Sequence, residues 1–413
     1  MKESIFVRVR CLGPMRSNVF MTAWIVNVIS CIGTQIHHVS EKLQMAKITD
    51  SPLLVALIET GTSLPIMLLG FSAGVVADII DRRKLLIATH TFMLACAMTL
   101  SGLTFCRSTT PKVLLVVAFL LGTASALSMP AYQAIVPELV ENESLIPEGT
   151  VLNSAGYNMS RALGPAIGGF IFEFFGPHWA FLINALSFLG VIVALVIWER
   201  RPPTVTHVHE PFWAAMRSGF DYVRHNKSYR TTMLWAIGYG WFGSVIFSLL
   251  TPLAIHEMKL SPKVSGLFMS CIGMGAVAVM FFLPPLRRRF KTNRILVGFG
   301  LFAAASQGLM SHTRNIYIVA ICLVIGGMSW LAVMSTVNIS IQLSVPLRMK
   351  ARAFGIYYMV WGATMALGAA FWGNSAAKLG IRVAIGCSAI GMLVALAILS
   401  RMKITAFDSK ITA

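Results

Sequence analysis

Two residues of opposite charge fall inside long apolar stretches of this sequence, where an ionised side chain is costly. Glu59 lies in the stretch 52–77, and Arg161 lies in the stretch 149–172. A charge in the middle of a bilayer costs several kcal/mol, so such residues are typical of proton, ion or substrate pathways. At about 1.5 Å per helical residue, both lie about 12 Å below the same membrane face. This predicts a pair or shared cavity in which Glu59 binds and releases a proton or, alternatively, a static bridge between packed helices.

A polar cluster ends the first apolar stretch, which reads GTQIHHVSEK. On a helix, His37 and Glu41 are one turn apart and can contact each other. Histidine titrates near neutral pH, so the cluster could take part in proton movement near one membrane face. A polar membrane interface would explain the same residues equally well. His38 and Gln35 belong to this stretch, and both are included in the predicted cavity.

The composition predicts the elements that position these residues. Of 413 residues, 56% are hydrophobic and 12% are charged, and the mean hydropathy is +0.73. Soluble proteins have about 25% charged residues, so this chain could not give soluble domains polar surfaces. Composition therefore excludes a soluble, disordered or disulfide-rich protein and predicts a polytopic membrane protein.

Twelve apolar stretches of membrane length form two groups of six. The first group predicts helices at 18–40, 52–77, 84–106, 112–134, 149–172 and 178–198. The second predicts helices at 231–255, 264–285, 293–311, 315–343, 353–377 and 381–400. The longest polar segment, 199–230, separates the groups. The sequence therefore predicts an all-α membrane protein with domains at 1–198 and 231–413 joined by a cytoplasmic linker.

Basic residues indicate how the chain is oriented. With an inner N-terminus, 24 of the 34 Lys and Arg residues fall in inner segments and 9, including Lys42, in outer segments. An excess of Lys and Arg is typical of cytoplasmic loops, so both termini are expected in the cytoplasm. The net charge of +18 thus reflects orientation in a lipid bilayer, and no nucleic-acid partner is expected.

The predicted inner loop 135–148 departs from this pattern, because it has four glutamates and no basic residue. A solvated loop ahead of the next helix would account for it. The alternative is a latch, in which these carboxylates pair with basic inner loops in one conformation.

The motif GFSAGVVADIIDRRK joins the second and third predicted helices. Its Gly74 belongs to a small-residue face on which helices can approach closely. Asp78 follows, close to Arg82 and Arg83, and is suited to charge contacts at the inner surface. These four residues form a candidate cytoplasmic gate.

A second motif, RALGPAIGG, lies inside the fifth predicted helix. Gly164, Gly168 and Gly169 permit close helix packing, and Pro165 removes a backbone hydrogen bond and bends the helix. Helix packing alone would explain this motif.

Motifs for other chemistries are missing from the sequence. It has no GxxxxGK[ST], HExxH or GxSxG pattern, and its seven cysteines have no metal or redox spacing. The sequence therefore predicts no enzymatic activity, no cofactor and no metal site. Any coupling to an energy source must depend on the few ionisable residues within the membrane.

Together these motifs resemble the major facilitator superfamily. Gly74, Ala77, Asp78, Arg82 and Arg83 fit the GxxaDrxxRR pattern of its loop between the second and third helices. The GPxxGG sequence resembles the core of the antiporter motif of its exporters. PAYQAIVPELV, NMSRALGPAIGG and VPLRMKARAFGIYY are similar to the branch that includes the enterobactin exporter and macrolide efflux proteins.

The resemblance implies two six-helix bundles around a central cavity, alternating access, and export driven by inward proton flow. It also implies that Asn158 and Arg161 occupy positions typical of the branch. Glu59 stands where the branch commonly has glutamine, and His37–Lys42 is more charged than usual. The substrate and the coupling residues are therefore the points at which this chain departs from its branch.

The function expected is a monomeric exporter of a small, siderophore-like metabolite by proton antiport in the bacterial inner membrane. One alternative is an importer of a siderophore or nutrient, and another is general multidrug efflux. A third is a non-transporting sensor or a membrane-embedded enzyme.

Overall fold

The computed structural model describes residues 13–140, 145–198, 221, 224–345 and 350–402. Those ranges contain twelve long α-helices and no strand. The first six helices are α1 (Asn18–Ile48), α2 (Pro52–Ile79), α3 (Arg82–Phe105), α4 (Pro111–Leu139), α5 (Ile146–Phe174) and α6 (Pro177–Ile197). The second six are α7 (Lys227–Pro252), α8 (Pro262–Arg289), α9 (Thr292–His312), α10 (Ile316–Ser344), α11 (Lys350–Leu379) and α12 (Ile381–Leu399). A π-helical turn, Leu253–Glu257, follows α7.

Eleven of these twelve helices are long and apolar enough to cross a membrane. The exception is α5, which has 29 residues and is therefore about 44 Å long, more than a bilayer core requires. Its low hydropathy comes from polar residues such as Asn153, Asn158 and Arg161. A helix of this length and polarity is suited to a position inside the bundle, and α5 packs against α1 and α8.

Four helices begin with proline, at Pro52, Pro111, Pro177 and Pro262. Proline has no backbone N–H, and the first turn of a helix leaves its N–H groups unpaired, so proline fits there. All four helices begin after a loop at the same end of the bundle, the end of the α1–α2 loop. We call this the α1–α2 end and the opposite one the α2–α3 end.

Two long helix pairs join the first six helices to the second six. Helix α2 packs against α11, and α5 packs against α8. Gly362 of α11 lies so close to α2 that an added Cβ would stand 2.5 Å from the backbone nitrogen of Met67. Glycine is therefore required where these two helices cross.

One apolar core crosses between the two groups of helices at the α1–α2 end. Val39, Leu43 and Phe172 from the first six helices pack there with residues of α7 and α8, including Leu249 and Phe268. All five are buried. This shared core closes the α1–α2 end of the molecule.

The helix order and most boundaries agree with the sequence prediction, and the main correction concerns α1. The first helix was expected to end near residue 40, but it continues to Ile48. Lys42, which was assigned to an outer loop, therefore lies within the helix and is only 5% exposed. The prediction failed because the charges of Glu41 and Lys42 end the apolar stretch, whereas in the structure both side chains are buried within the continuing helix.

Part of the predicted organisation lies outside the described residues. This applies to 199–220 and 222–223 of the linker, to 141–144 of the acidic loop, and to the side chain of Asp78. The domain boundaries at residues 198 and 231 stay a prediction.

Candidate functional site

Lys42 of α1 forms an ion pair with Glu59 of α2 within the bundle. Lys42 Nζ lies 2.6 Å from Glu59 Oε2 and donates a second hydrogen bond, 2.9 Å long, to the carbonyl oxygen of Phe247 in α7. The Lys42 side chain is 6% exposed and that of Glu59 is 21% exposed. Because removing two charges from water is costly, such a pair is stable only when its remaining donors and acceptors are also satisfied. The ammonium group thus links both groups of helices near the α1–α2 end.

Arg161 lies on the other side of Phe247. Its guanidinium carbon is 5.9 Å from the centroid of the Phe247 ring, within cation–π range. Arg161 also acts electrostatically on the Glu59 carboxylate, as does His38. Of the predicted pair or shared cavity of Glu59 and Arg161, the direct pair is not formed: Glu59 pairs with Lys42, and Arg161 acts on it at longer range. Within the described part of the chain, Arg161 has no ion pair and no hydrogen bond from its side chain.

The polar cluster of α1 divides between two faces of the helix. His37 Nε2 lies 3.8 Å from Glu41 Oε1, which confirms the predicted one-turn contact. The His37 ring packs on Phe181 of α6, with 4.8 Å between ring centroids. His37 is 2% exposed and Glu41 is fully buried, and their side-chain nitrogens and oxygens have no hydrogen-bond partner. This pair faces α6, whereas Lys42 faces α2 and α7.

The glycines of the RALGPAIGG motif contact two different helices. Added Cβ atoms on Gly164 and Gly168 would meet α1, at 2.5 Å from Gln35 Cβ and 3.0 Å from Ile36 Cα. One on Gly169 would meet α8, at 2.7 Å from the carbonyl oxygen of Pro262. The motif therefore packs α5 against α1 and α8 at once, and Gln35 takes part in this packing.

Pro165 adds a backbone feature to the contact between α5 and α8. Because proline has no N–H, the carbonyl oxygen of Arg161, four residues earlier, lacks its usual helical donor. Gly273 of α8 lies against this oxygen, which would be 2.4 Å from an added Cβ. The next backbone N–H, of Ala166, donates to Ser270 Oγ of α8 at 2.9 Å. Backbone atoms thus form the closest part of this contact.

One face of α5 becomes more exposed toward the α2–α3 end. Pro165 and Gly169 are buried, Arg161 and Asn158 are partly buried, and Ser154 is exposed. Residues spaced by three or four lie on one face of a helix, so all five follow the side that faces α8. This side of α5 therefore becomes more accessible from Pro165 through Arg161 toward the α2–α3 end.

At the α2–α3 end, basic side chains bind the ends of neighbouring helices. Arg82 Nη1 lies 2.9 Å from Glu138 Oε1 of α4. Arg83 donates to the carbonyl oxygens of Leu195 and Val196 at the end of α6. The structure thus brings one glutamate of the acidic segment to the predicted gate, while Gly74 contacts no other residue closely enough to require glycine.

A row of aromatic rings in the second six helices begins at Phe247, next to Arg161. The centroid of Phe247 is 4.5 Å from that of Trp330 in α10, which is 5.2 Å from Trp361 in α11. Tyr357 stacks on Trp361, with an interplanar angle of 25°. These rings could not be identified from the sequence, because aromatic residues in apolar helices carry no local signal for a cavity.

Lys42 was also missed as a site residue, although its spacing from His38, one helical turn, could have identified it. The carbonyl group of Phe247 has no sequence signal at all. Within the described residues, no group of three His, Cys, Asp or Glu side chains could hold a metal ion.

Comparison with known proteins identifies relatives among membrane transporters. The Staphyloferrin A transporter of Staphylococcus aureus (strain NCTC 8325 / PS 47) is 27% identical over 273 residues, or 64% of this chain and 66% of that protein, just under two thirds. Macrolide efflux protein A of Streptococcus pyogenes is 21% identical over 319 residues, or 75% and 73%. The uncharacterized MFS-type transporter YfiS of Bacillus subtilis (strain 168) is 23% identical over 93% of both chains.

Solved structures agree with the predicted fold. The nucleoside transporter NupG matches with a TM-score of 0.77 at 12% identity, over 93% of this chain and 100% of that one. A bacterial homologue of the human lysosomal transporter Spinster, inward-facing and unoccupied, matches with a TM-score of 0.73 at 15% identity, over 94% and 98%. These matches confirm the predicted fold of twelve membrane helices in two bundles.

The family is defined by a match along nearly the whole chain. The model of the transmembrane secretion effector family matches residues 9–413. With its helices arranged as in transporters of known structure, this protein belongs to the transmembrane secretion effector family of the major facilitator superfamily.

Proposed function

We propose that this transporter exports a small, siderophore-like metabolite by proton antiport with alternating access. The observation that carries the proposal is the buried bond of Lys42 to both Glu59 and the carbonyl group of Phe247. Lys42 is the counter-ion of the Glu59 carboxylate, which can bind a proton, and it also takes part in the contact that closes the α1–α2 end. Proton binding and opening of that end therefore depend on the same ammonium group.

The distribution of basic residues supports an orientation with the α2–α3 end and both termini in the cytoplasm. The increasing exposure of this side of α5 toward the α2–α3 end then supports access to the site from the cytoplasm. In this state Glu59 is ionised and paired with Lys42, and the substrate enters from the cytoplasm toward Arg161 and Asn158.

Opening to the outside requires Lys42 to leave the carbonyl oxygen of Phe247. Water from outside then reaches Glu59, which takes up a proton after the substrate has left. Return to the cytoplasm-facing state restores the pair with Lys42, and this favours release of the proton inside. One substrate thereby moves outward for each proton that Glu59 carries inward.

His37, Glu41 and His38 belong to the same proposal. The buried contact of His37 with Glu41 can hold a second proton close to the α1–α2 end. His38 also acts electrostatically on the Glu59 carboxylate and belongs to the same polar region. Gln35 and the glycines of α5 hold α1 in place, and the Arg82–Glu138 pair holds the cytoplasmic end of the first six helices.

The substrate class is supported by the relatives rather than by a bound molecule. One relative is named as a transporter of Staphyloferrin A and another as a macrolide efflux protein. The protein is proposed to act as a monomer in the bacterial inner membrane, without cofactor, enzymatic activity or nucleic-acid partner.

The proposal is tested in cells with and without the gene, grown in iron-poor and iron-rich medium, with metabolites measured inside and outside. An iron-chelating compound retained inside the deletion strain is the expected result. A compound that is secreted normally but no longer recovered from the medium would establish import instead. No difference in either medium would refute a siderophore substrate and leave macrolides as the next compounds to assay.

Complementation tests the coupling residue. Glu59→Gln should leave the compound inside, because glutamine cannot carry a proton, whereas Glu257→Gln should restore export. Glu257 is a matched control, since it also pairs with a basic residue, Arg382, at 3.6 Å but is 30% exposed. Undiminished, proton-driven export by Glu59→Gln would rule out Glu59 as the coupling residue.

A further inference from the structure

Beyond the direction and coupling of transport, the cavity has a chemical preference of its own. Arg161 is partly buried, and among the described residues no carboxylate pairs with it. The other nearby cation, Lys42, is neutralised by Glu59 at 2.6 Å. Arg161 is therefore a cation without a paired carboxylate, which favours an anionic ligand and disfavours a cationic one.

The surface next to this charge is aromatic. The Arg161 guanidinium lies over the Phe247 ring, which contacts Trp330 at 4.5 Å between centroids. Trp330 is 8% exposed, but Phe247 and Trp361 are partly exposed. Phe247 of α7 and Trp361 of α11 thus present accessible aromatic surface. The more buried Trp330 of α10 contacts both rings.

These rings are held in place by their surroundings. An added Cβ on Gly240 would stand 3.1 Å from the Trp361 ring, so glycine there leaves room for the indole against α7. An added Cβ on Gly243 would stand 3.0 Å from the Trp330 ring. A fixed aromatic surface loses little conformational entropy when a flat ligand stacks on it.

We infer that the cavity binds a flat aromatic anion, whose ring stacks on Phe247 and Trp361 and whose carboxylate or ionised phenol pairs with Arg161. Aromatic groups alone would also attract a cation, as in cages for quaternary ammonium ligands. The unpaired guanidinium distinguishes the two cases, because it repels a cation and can donate two parallel hydrogen bonds to a carboxylate. This inference names the substrate class of the site described under the proposed function and rests on it.

The test measures binding to the full-length protein in lipid nanodiscs without a pH gradient. Four probes separate ring from charge, namely 1-naphthoate, 1-naphthylmethanol, 1-naphthylmethylamine and cyclohexanecarboxylate. Naphthoate should bind about tenfold more tightly than each of the others, a difference that one stacked ring or one charge-assisted hydrogen bond can supply. Equal binding of naphthoate and cyclohexanecarboxylate, or tightest binding of the amine, would overturn the inference.

Two substitutions assign the contributions. Arg161→Gln should reduce naphthoate binding to the level of the alcohol without changing binding of the alcohol. Trp361→Leu should weaken naphthoate and the alcohol alike, and Trp361→Phe should restore most of the loss. Matched controls are Arg314→Gln and Trp179→Leu, because both residues are exposed on other parts of the molecule.

Other results would overturn the assignment of residues or separate the two proposals. If both Trp361→Phe and Trp361→Leu are well folded and bind all four probes as the wild type does, the rings are not the surface that binds the ligand. If naphthoate binds as expected but the deletion strain retains no compound, the proposed export fails and the aromatic-anion site stands. If a non-aromatic siderophore is exported and naphthoate shows no preference, only this inference fails.

Discussion

Lys42 Nζ lies 2.6 Å from Glu59 Oε2, although the two residues belong to different helices and Lys42 is almost fully buried. The same ammonium group bonds to a backbone carbonyl of α7, 205 residues away in sequence. A single side chain therefore connects a titratable carboxylate with the contact between the two groups of helices.

Lys42→Met should destabilise the protein strongly, because it leaves the Glu59 carboxylate without its counter-ion. Breaking a buried ion pair in this way costs about 3–5 kcal/mol, less whatever Glu59 recovers by taking up a proton. The double variant Lys42→Met, Glu59→Gln should recover most of the loss, since no charge is left unpaired. Thermal unfolding in nanodiscs measures both; a double variant no more stable than Lys42→Met would mean that Lys42 acts mainly through α7.

Gly169→Ala should shift the molecule away from the conformation described here. Its Cβ would stand 2.7 Å from the carbonyl oxygen of Pro262 in α8, a contact that the two helices relieve by moving apart. Spin labels on Lys47 and Lys378, both exposed at the α1–α2 end, should then report longer distances.

Two further glycines serve as comparisons for that measurement. Gly168→Ala should lower stability without changing the label distance, because its clash with Ile36 lies within the first six helices. Gly308→Ala should change neither, since its nearest contact would be 3.9 Å away. A longer label distance with Gly168→Ala and none with Gly169→Ala would contradict the assignment of the two faces of α5.

Replacing the His37–Glu41 contact should lower the number of protons moved per substrate. The variant His37→Phe, Glu41→Met keeps a ring against Phe181 and removes both titratable groups together with their polar atoms. We expect it to fold with undiminished stability, because buried polar atoms without hydrogen-bond partners are lost. Proton and substrate fluxes in proteoliposomes give the ratio, and a ratio equal to that of wild type would leave this pair a purely structural role.

The Arg82–Glu138 contact should contribute about 1 kcal/mol of coupling energy, as expected for a partly exposed pair at 2.9 Å. A double-mutant cycle with Arg82→Gln and Glu138→Gln measures it by thermal unfolding. Arg314→Gln combined with Glu138→Gln should show additive effects, because Arg314 lies near the opposite end. Additivity in the first cycle as well would exclude the latch as a source of stability.

The helices could be predicted from the sequence because hydrophobic length alone determines how much chain a bilayer accommodates. Glu59 and Arg161 could be singled out for the same reason, as charges among apolar neighbours. The partner of Glu59 could not be predicted, because Lys42 stands at the end of an apolar stretch. The second partner of Lys42 is a backbone carbonyl group, which every residue has, so no sequence pattern identifies it.

The aromatic surface was missed for a different reason. Trp330 and Trp361 lie on consecutive helices and Phe247 on a more distant one, and only the packing of α7, α10 and α11 brings the three rings together. In an apolar helix, a tryptophan beside a cavity and one facing lipid look alike. Long-range packing therefore determines which of them can bind a ligand.

Because the closest contacts between α5 and α8 involve main-chain atoms and glycines, this contact does not depend on the identity of the large side chains beside Arg161. Those side chains can be exchanged during evolution while the contact keeps its shape. A lineage could therefore acquire new cargo by drift at a few cavity positions and retain the same machinery of movement.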